Sequence, residues 1–507
     1  MHKISFFFYA FHNTQALAKT NVLPTMKLLK TFTFLPLLCF GVEATEHHGT
    51  VELSLMNSVG NKYGDEYYVN LTVGTPGQLQ SVLIDTGSSS TIFLASDVPG
   101  CNKPLCPQTF NLSASSSFDA VSPGALYAPF GGAAALGDFV TDVVQIGDLS
   151  ISKVPLGLAH TFRSRLQPYT GILGLGYSSR EAINRTMSHK VPKHPSFIEV
   201  LTKANAISSR LFSVHLNKLD MYGSILFGGI DTAKYKGPLT TLNCLNSKHD
   251  EVDQWYLNLQ EVTMQPHDGP ELTLLRSTQD EPRFALVDTG SPDWQLPSSA
   301  YHKVLGFAGA EAPDGLWPLP GFNRPCRQVA YGAANTTHFQ LTFAGNGTNT
   351  ATLDLELADL FTPITGDDGS ATVDRYGQPL CMLRIVEVEE NNEPLVISSS
   401  VMRAGYWVFD LDNGQISLGQ SDLETTSSNV VQVQAGTDGL SRAVQRLVPE
   451  SQLNDVEGQM ALPSTYKLST ATNTIGYTTG AQFYPSSAAR RSGENTMRLE
   501  TQRRPTK

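Results

Sequence analysis

Val82-Leu83-Ile84-Asp85-Thr86-Gly87-Ser88 returns 203 residues later as Ala285-Leu286-Val287-Asp288-Thr289-Gly290-Ser291. In each copy an unbroken apolar run, the mark of a strand buried on both faces, ends in Asp-Thr-Gly-Ser. Gly lets the backbone turn tightly behind the acid, and Thr and Ser supply hydroxyls that hold neighbouring groups. A single copy reads as a capped turn. Two copies, spaced by the length of a lobe, read as an internal repeat, and a pseudo-symmetric pair of lobes brings Asp85 and Asp288 face to face. Carboxylates that close do not both ionise easily, so the pair shares one proton over a wide acidic range. One then acts as base on a trapped water while the other, as acid, hydrogen-bonds a carbonyl.

Outward from the repeat the chain reads as strand and turn. Tyr67-Tyr68-Val69-Asn70-Leu71-Thr72-Val73 is aromatic and β-branched, Gly74-Thr75-Pro76-Gly77 interrupts it, and Leu79 to Ile84 resumes. The style runs to Leu245 and returns from Trp255 to Gly419, which predicts an all-β protein with an N-terminal lobe over 67–245 and a C-terminal lobe over 246–420. Helical periodicity is scarce; Ser196 to Ala206 is the best short candidate. From Ser421 the chain turns to Ser, Thr, Asn and Gln, so 421–507 is expected to be a polar, disordered tail. It ends without an apolar stretch, which gives no support to a C-terminal lipid anchor.

An apolar fraction of 40% with 16% charged residues describes a globular chain with a core. The net charge of −11 argues against a nucleic-acid partner, and suits work in acid as well as simple solubility. Met26-Lys27, the apolar run Leu28 to Gly41 and the small residues before Ala44 read as a signal peptide cut after Ala44. Translation is expected to start at Met26, with residues 1–25 an extension. The short segment 45–66 that follows holds a single Lys62. Neither N-terminal apolar run reaches the roughly 18–20 residues of a spanning helix, so export without a membrane anchor is expected. After removal of Cys39 with the leader, Cys101 with Cys106 and Cys326 with Cys381 make two disulfides and leave Cys244 free, the economical pairing. A zinc site is the rival reading, but no second close Cys pair or His-x3-His partner accompanies it. Sequons at Asn111, Asn184, Asn335 and Asn346 are glycosylation candidates; a fifth, at Asn70, lies inside a predicted strand.

At these residues the chain resembles the pepsin-like aspartic protease family, from about Val51 to Gln420. The resemblance implies a bilobal all-β fold and a monomeric, secreted acid endopeptidase that cuts proteins or peptides with neither metal nor cofactor. It places Asp85 and Asp288 on the catalytic positions, and Ser88 and Ser291 on the hydroxyls that orient them. Gly87 and Gly290 fall beside the substrate. Gly171-Ile172-Leu173-Gly174-Leu175-Gly176-Tyr177 is similar to the segment that packs behind the first aspartate, and Met402 to Asp410 with Gly414-Gln415-Ile416 to the final strands. The cysteine pairs fit the family's lobe disulfides. Tyr127, before a return strand at Gly137 to Asp142, matches the tyrosine of the flap, a hairpin that closes over substrate. A groove lined by Tyr127 and Ile172 favours apolar side chains.

Four departures stand out. The flap is three residues longer than the pepsin pattern and carries Pro129, and Ile92 replaces a tryptophan that supports the flap tyrosine. Ser398 replaces the glycine of the second packing segment, and Pro292 follows the second motif directly. None removes a catalytic group. They lend support to an alternative, a weak or inactive relative that binds peptides without cutting them. Both motifs lie in one chain, which excludes a dimeric retroviral-type protease. The 22 residues from 45 to 66 are too few and too poor in basic side chains for the family's inhibitory pro-segment.

Overall fold

The computed structural model describes residues 49–57, 66–99, 101, 108–130, 133–163, 171–183, 191–219, 221–247, 251–278, 280–308, 323–331, 336–366 and 370–445. The leader, the extension before it, Cys106, Asn184, Asn335 and the chain after Gln445 lie outside the described residues.

Alternation builds the first sheet. In the strand Tyr67–Val73 the residues Tyr67, Val69, Leu71 and Val73 are buried while Asn70 faces out, as the period of two requires. It pairs with the strand Gln78–Asp85, whose Val82, Leu83 and Ile84 are all buried. These belong to a sheet of thirteen strands. The strand Val51–Asn57, from the short segment before Tyr67, already sits inside this sheet between Gly223–Phe227 and Tyr67–Val73. The far end is a long hairpin, Asp119–Phe130 with Ala133–Ile146, followed by Leu149–Arg163. A second sheet of six strands carries the other aspartate strand, Phe284–Asp288, between Tyr256–Gln265 and Leu395–Ser398.

Three expectations about boundaries change. The strands Gly405–Asp410 and Gln415–Ser421, counted above with the C-terminal lobe, pair instead with Leu211–His215 and Tyr235–Asn243, so the end of the chain completes the first sheet. Sheet edges demand partners, and these strands supply them. The helix expected over Ser196 to Ala206 runs Phe197–Lys203. Ser196 and Glu199 cap it reciprocally, and Asn205 at φ 56° ends it in the left-handed region.

The disordered tail is the third correction, for its first part. Val430–Gln432 pairs with Gly229–Asp231, and a helix follows at Gly439–Gln445. Val433, Leu440 and Ala443 pack with Leu211, Ile230, Tyr406 and Val408. Polar composition concealed this: Ser428 Oγ and Asn429 N–H donate to the Asp231 carboxylate at 2.7 Å each, so the polar residues act as partners for a buried acid.

Candidate active site

The two aspartates end equivalent strands. Gln78–Asp85 runs parallel to Gly171–Gly174 with Asp85 opposite Gly174, and Phe284–Asp288 runs parallel to Leu395–Ser398 with Asp288 opposite Ser398. A third strand follows each: Ile92–Leu94 runs parallel to part of Leu149–Arg163, and Trp294–Pro297 to Ile385–Val388. At Gly174 a Cβ would meet the Ser89–Ser90 peptide at 2.5 Å, so only glycine fits. The second copy solves the same packing differently. Ser398 is fully buried, and its hydroxyl bonds the Ser400 hydroxyl at 2.7 Å, so the side chain is accommodated without loss of the strand register.

Between the strands the threonines interlock. Thr86 Oγ1 donates to the Val287 carbonyl at 2.8 Å and accepts from the Thr289 N–H at 3.0 Å. Thr289 Oγ1 mirrors it, donating to the Ile84 carbonyl at 2.9 Å and accepting from the Thr86 N–H at 3.1 Å. Four buried hydrogen bonds thus clamp the two turns together. Each turn also folds onto its own acid: Gly87 N–H donates to Asp85 Oδ1, and Gly290 N–H to Asp288 Oδ1, both at 2.9 Å. A Cβ on Gly87 would lie 2.7 Å from Asp288 Cγ, and one on Gly290 2.5 Å from Asp85 Oδ1. The carboxylates therefore face each other across a gap that only glycine leaves open.

The environment divides their roles. Burial raises the Asp85 carboxyl above its ordinary value, and hydrogen bonds from the Ser88 hydroxyl, Asp288 and the Gly87 N–H oppose it. Burial also raises Asp288, and the adjacent Asp85 pushes it further, well above the usual carboxylate range. Both carboxyls are thus held above their ordinary value, and the two titrate as a pair. The Ser88 hydroxyl donates to Asp85 Oδ2. Ser291 differs: its carbonyl accepts from the N–H and the hydroxyl of Ser399, at 2.9 and 3.2 Å, and among the described residues its hydroxyl makes no hydrogen bond to Asp288.

The family model of eukaryotic aspartyl proteases matches residues 66–421. This chain belongs to that family. "Probable aspartic-type endopeptidase OPSB" of Arthroderma benhamiae is 27% identical over 403 residues, covering 77% of this chain and 76% of that protein. Aspartic proteinase yapsin-3 of Saccharomyces cerevisiae is 28% identical over 409 residues, 74% of this chain and 70% of its own. The solved aspartic proteinase from Irpex lacteus superposes with a TM-score of 0.55 at 20% identity, over 75% of this chain and all of the other. It supports the pepsin-like bilobal β fold. As a family member the chain is an aspartic-type endopeptidase, and its substrates are peptides.

In this aspartyl protease Tyr127 stands on the long hairpin opposite Leu136, with 41% of its surface exposed. Ile92 is buried and pairs with Gly157, and its side chain and that of Leu126 on the hairpin both lie against that glycine. Cys326 and Cys381 form a disulfide; Cys101 is disulfide-bonded, its expected partner Cys106 lying outside the described residues; Cys244 is free and buried. Asn111 and Asn346 are exposed. Among the described residues no cluster of three metal-ligating side chains occurs and no helix is long and apolar enough to cross a membrane. Reasoning from sequence named Ser88 and Ser291 but passed over Thr86 and Thr289 as individual site residues, although both lie inside the quoted repeat.

Proposed function

We propose that this chain is an exported endopeptidase that hydrolyses peptide bonds in acid through a water activated by Asp85 and Asp288. The observation that carries the reading is the threonine clamp with its two glycines, which brings the two carboxylates face to face, where each raises the cost of ionising the pair. Asp85, the more readily ionised, takes a proton from the water as its oxygen attacks the scissile carbonyl carbon. Asp288 gives its proton to the carbonyl oxygen. In the resulting diol the C–N bond breaks as Asp85 passes its proton to the leaving nitrogen and a diol hydroxyl returns one to Asp288. The dyad ends as it began.

Gly87 and Gly290 leave the peptide backbone room beside the carboxylates, Tyr127 covers it from the hairpin, and Ser88 serves as the orienting hydroxyl of Asp85, a role that among the described residues Ser291 does not repeat for Asp288. Export rests on the segment 26–44 and on the Cys326–Cys381 disulfide, which suits an oxidising compartment. Glycans at Asn111, Asn184, Asn335 and Asn346 and a monomeric state belong to the same reading. The short, weakly basic segment before Tyr67 points to control by acid rather than by removal of a pro-segment.

The test is a peptide-library digest from pH 3 to 8 with the chain expressed from Thr45, with and without a statine-type mimic. Cleavage should be greatest in acid, fall as the shared proton is lost towards neutral pH, be blocked by the mimic, and need no activation step. Asp85→Asn and Asp288→Asn should each retain under about one per cent of activity, because members of one catalytic unit fail together. Higher residual activity in either variant overturns the dyad. Silence under all conditions with tight binding of the mimic favours a peptide-binding relative instead.

A further inference from the structure

The strand Asp119–Phe130 that carries Tyr127 is the last in its sheet, and a terminal strand exposes one row of backbone groups. Here a short clip covers that edge. Leu126 bridges Ile183, and the Tyr127 N–H donates to the Ala182 carbonyl at 2.9 Å. The other side of Ala182 faces the catalytic loop: its N–H donates to the Ser90 hydroxyl, also at 2.9 Å, five residues beyond Asp85. One residue therefore ties the hairpin to the loop of the first aspartate through both of its backbone groups.

Ala182 has no side chain with which to hold its own position. Its neighbour Glu181 provides the anchor. One carboxylate oxygen of Glu181 meets His194 Nδ1 at 2.6 Å, and the other accepts the His194 N–H at 2.9 Å. Both side chains are buried, at 8% and 10% exposed, and the imidazole packs 4.8 Å from the Phe139 ring on the returning strand of the same hairpin. The cavity they share, about 20 Å³, is lined by Ser89, Ser90 and Thr91 of the catalytic loop. A buried pair of this kind adds little net stability, since desolvation offsets the attraction, but it fixes geometry.

We infer that Glu181 and His194 are positioning residues that hold the flap hairpin in register over the dyad through the Ala182 clip. The inference rests on the endopeptidase reading above, because it assigns the hairpin a role in holding substrate. The pair touches neither aspartate, so its loss should weaken binding of the peptide and spare the chemistry.

Glu181→Ala should raise KM about tenfold, the worth of one or two hydrogen bonds, with kcat changed less than about twofold. Glu181→Gln should restore much of KM, because its amide oxygen can still accept the His194 backbone N–H. Ser90→Ala, which cuts the clip from the other side, should reproduce the KM effect. Independently of activity, hydrogen exchange at the Tyr127 amide should quicken about tenfold in Glu181→Ala while amides of Leu211–His215 keep their protection. A Tyr127 amide that exchanges as in the wild type, or equal losses in kcat and KM across all three variants, overturns the inference. If the wild-type chain cleaves no peptide, the endopeptidase reading fails, and the exchange measurement still decides whether the pair fixes the hairpin.

Discussion

Thr86→Val tests the clamp on which the site depends. The substitution keeps the shape of the side chain and puts a methyl where the hydroxyl was, so no large cavity confuses the result. Two buried groups lose their partner: the Val287 carbonyl, which accepts from Thr86 Oγ1 at 2.8 Å, and the Thr289 N–H, which donates to it at 3.0 Å. At about 1–3 kcal/mol for each stranded group the expected cost lies between about 2 and 6 kcal/mol. Thr86→Ser keeps the hydroxyl and should cost less than about 1 kcal/mol. Because the clamp joins the two aspartate turns, opening it also misplaces the carboxylates, and kcat should fall about a hundredfold for a shift near 1 Å. The assays are a urea titration and single-turnover cleavage of a fluorogenic peptide in acid. The mirror variant Thr289→Val should match it, and the double variant should cost less than the two together, since water that enters on one side can solvate the groups freed on the other. Stability within about 0.5 kcal/mol of the wild type in Thr86→Val, or damage as great in Thr86→Ser, would refute the reasoning.

Three further outcomes follow from other parts of the molecule. His215 is buried in the shared sheet, its Nε2 without a partner among the described residues, and burial, with Lys234 nearby, lowers its pKa to about 4 from 6.5; the unfolded chain binds that proton first, so stability is lost as pH falls from 6.5 through 4, and His215→Gln should recover up to about 3 kcal/mol at pH 3 in urea titrations. Truncation after Ser421 uncovers Leu211, Ile230, Tyr406 and Val408 and should lower the thermal midpoint of the chain; an unchanged midpoint would contradict the packed segment. Cys244 is buried and its thiol is pushed up by that burial, so iodoacetamide should label no cysteine in the folded protein and one after denaturation without reductant.

The repeat was legible because it is local. Each copy states strand, turn and acid within seven residues, and the interlocking of Thr86 with Thr289 follows once two such turns meet about an axis. The strand Tyr67–Val73 was legible for the same reason, its alternation being readable without knowledge of its partners. Where partners decide, the sequence is quiet. Nothing around Gly405 to Ser421 announces that these strands pair with Leu211–His215 and Tyr235–Asn243, nearly two hundred residues earlier in the chain. The segment Ser428 to Ala443 reads as polar because its few apolar residues bury themselves against strands that already exist, and its hydroxyl and amide groups answer a buried Asp231.

Ser398 shows the same limit from the opposite direction. By its position it replaces a glycine in a tight segment, and the residue alone suggests damage near Asp288. The structure gives the serine a partner in Ser400 and keeps Asp288 opposite it in the parallel register, while the neighbouring Ser399 binds the Ser291 carbonyl. The serine side chain in place of the glycine hydrogen is therefore accommodated locally, and the parallel register at Asp288 is kept. In the proposed mechanism Asp85 ionises and is held by a hydroxyl and an N–H that favour its charge, whereas Asp288 keeps a proton, and a donor fewer on its carboxylate serves that end. An internal repeat sets two acids at equal positions, and the catalytic difference between them comes from the neighbours the repeat does not share.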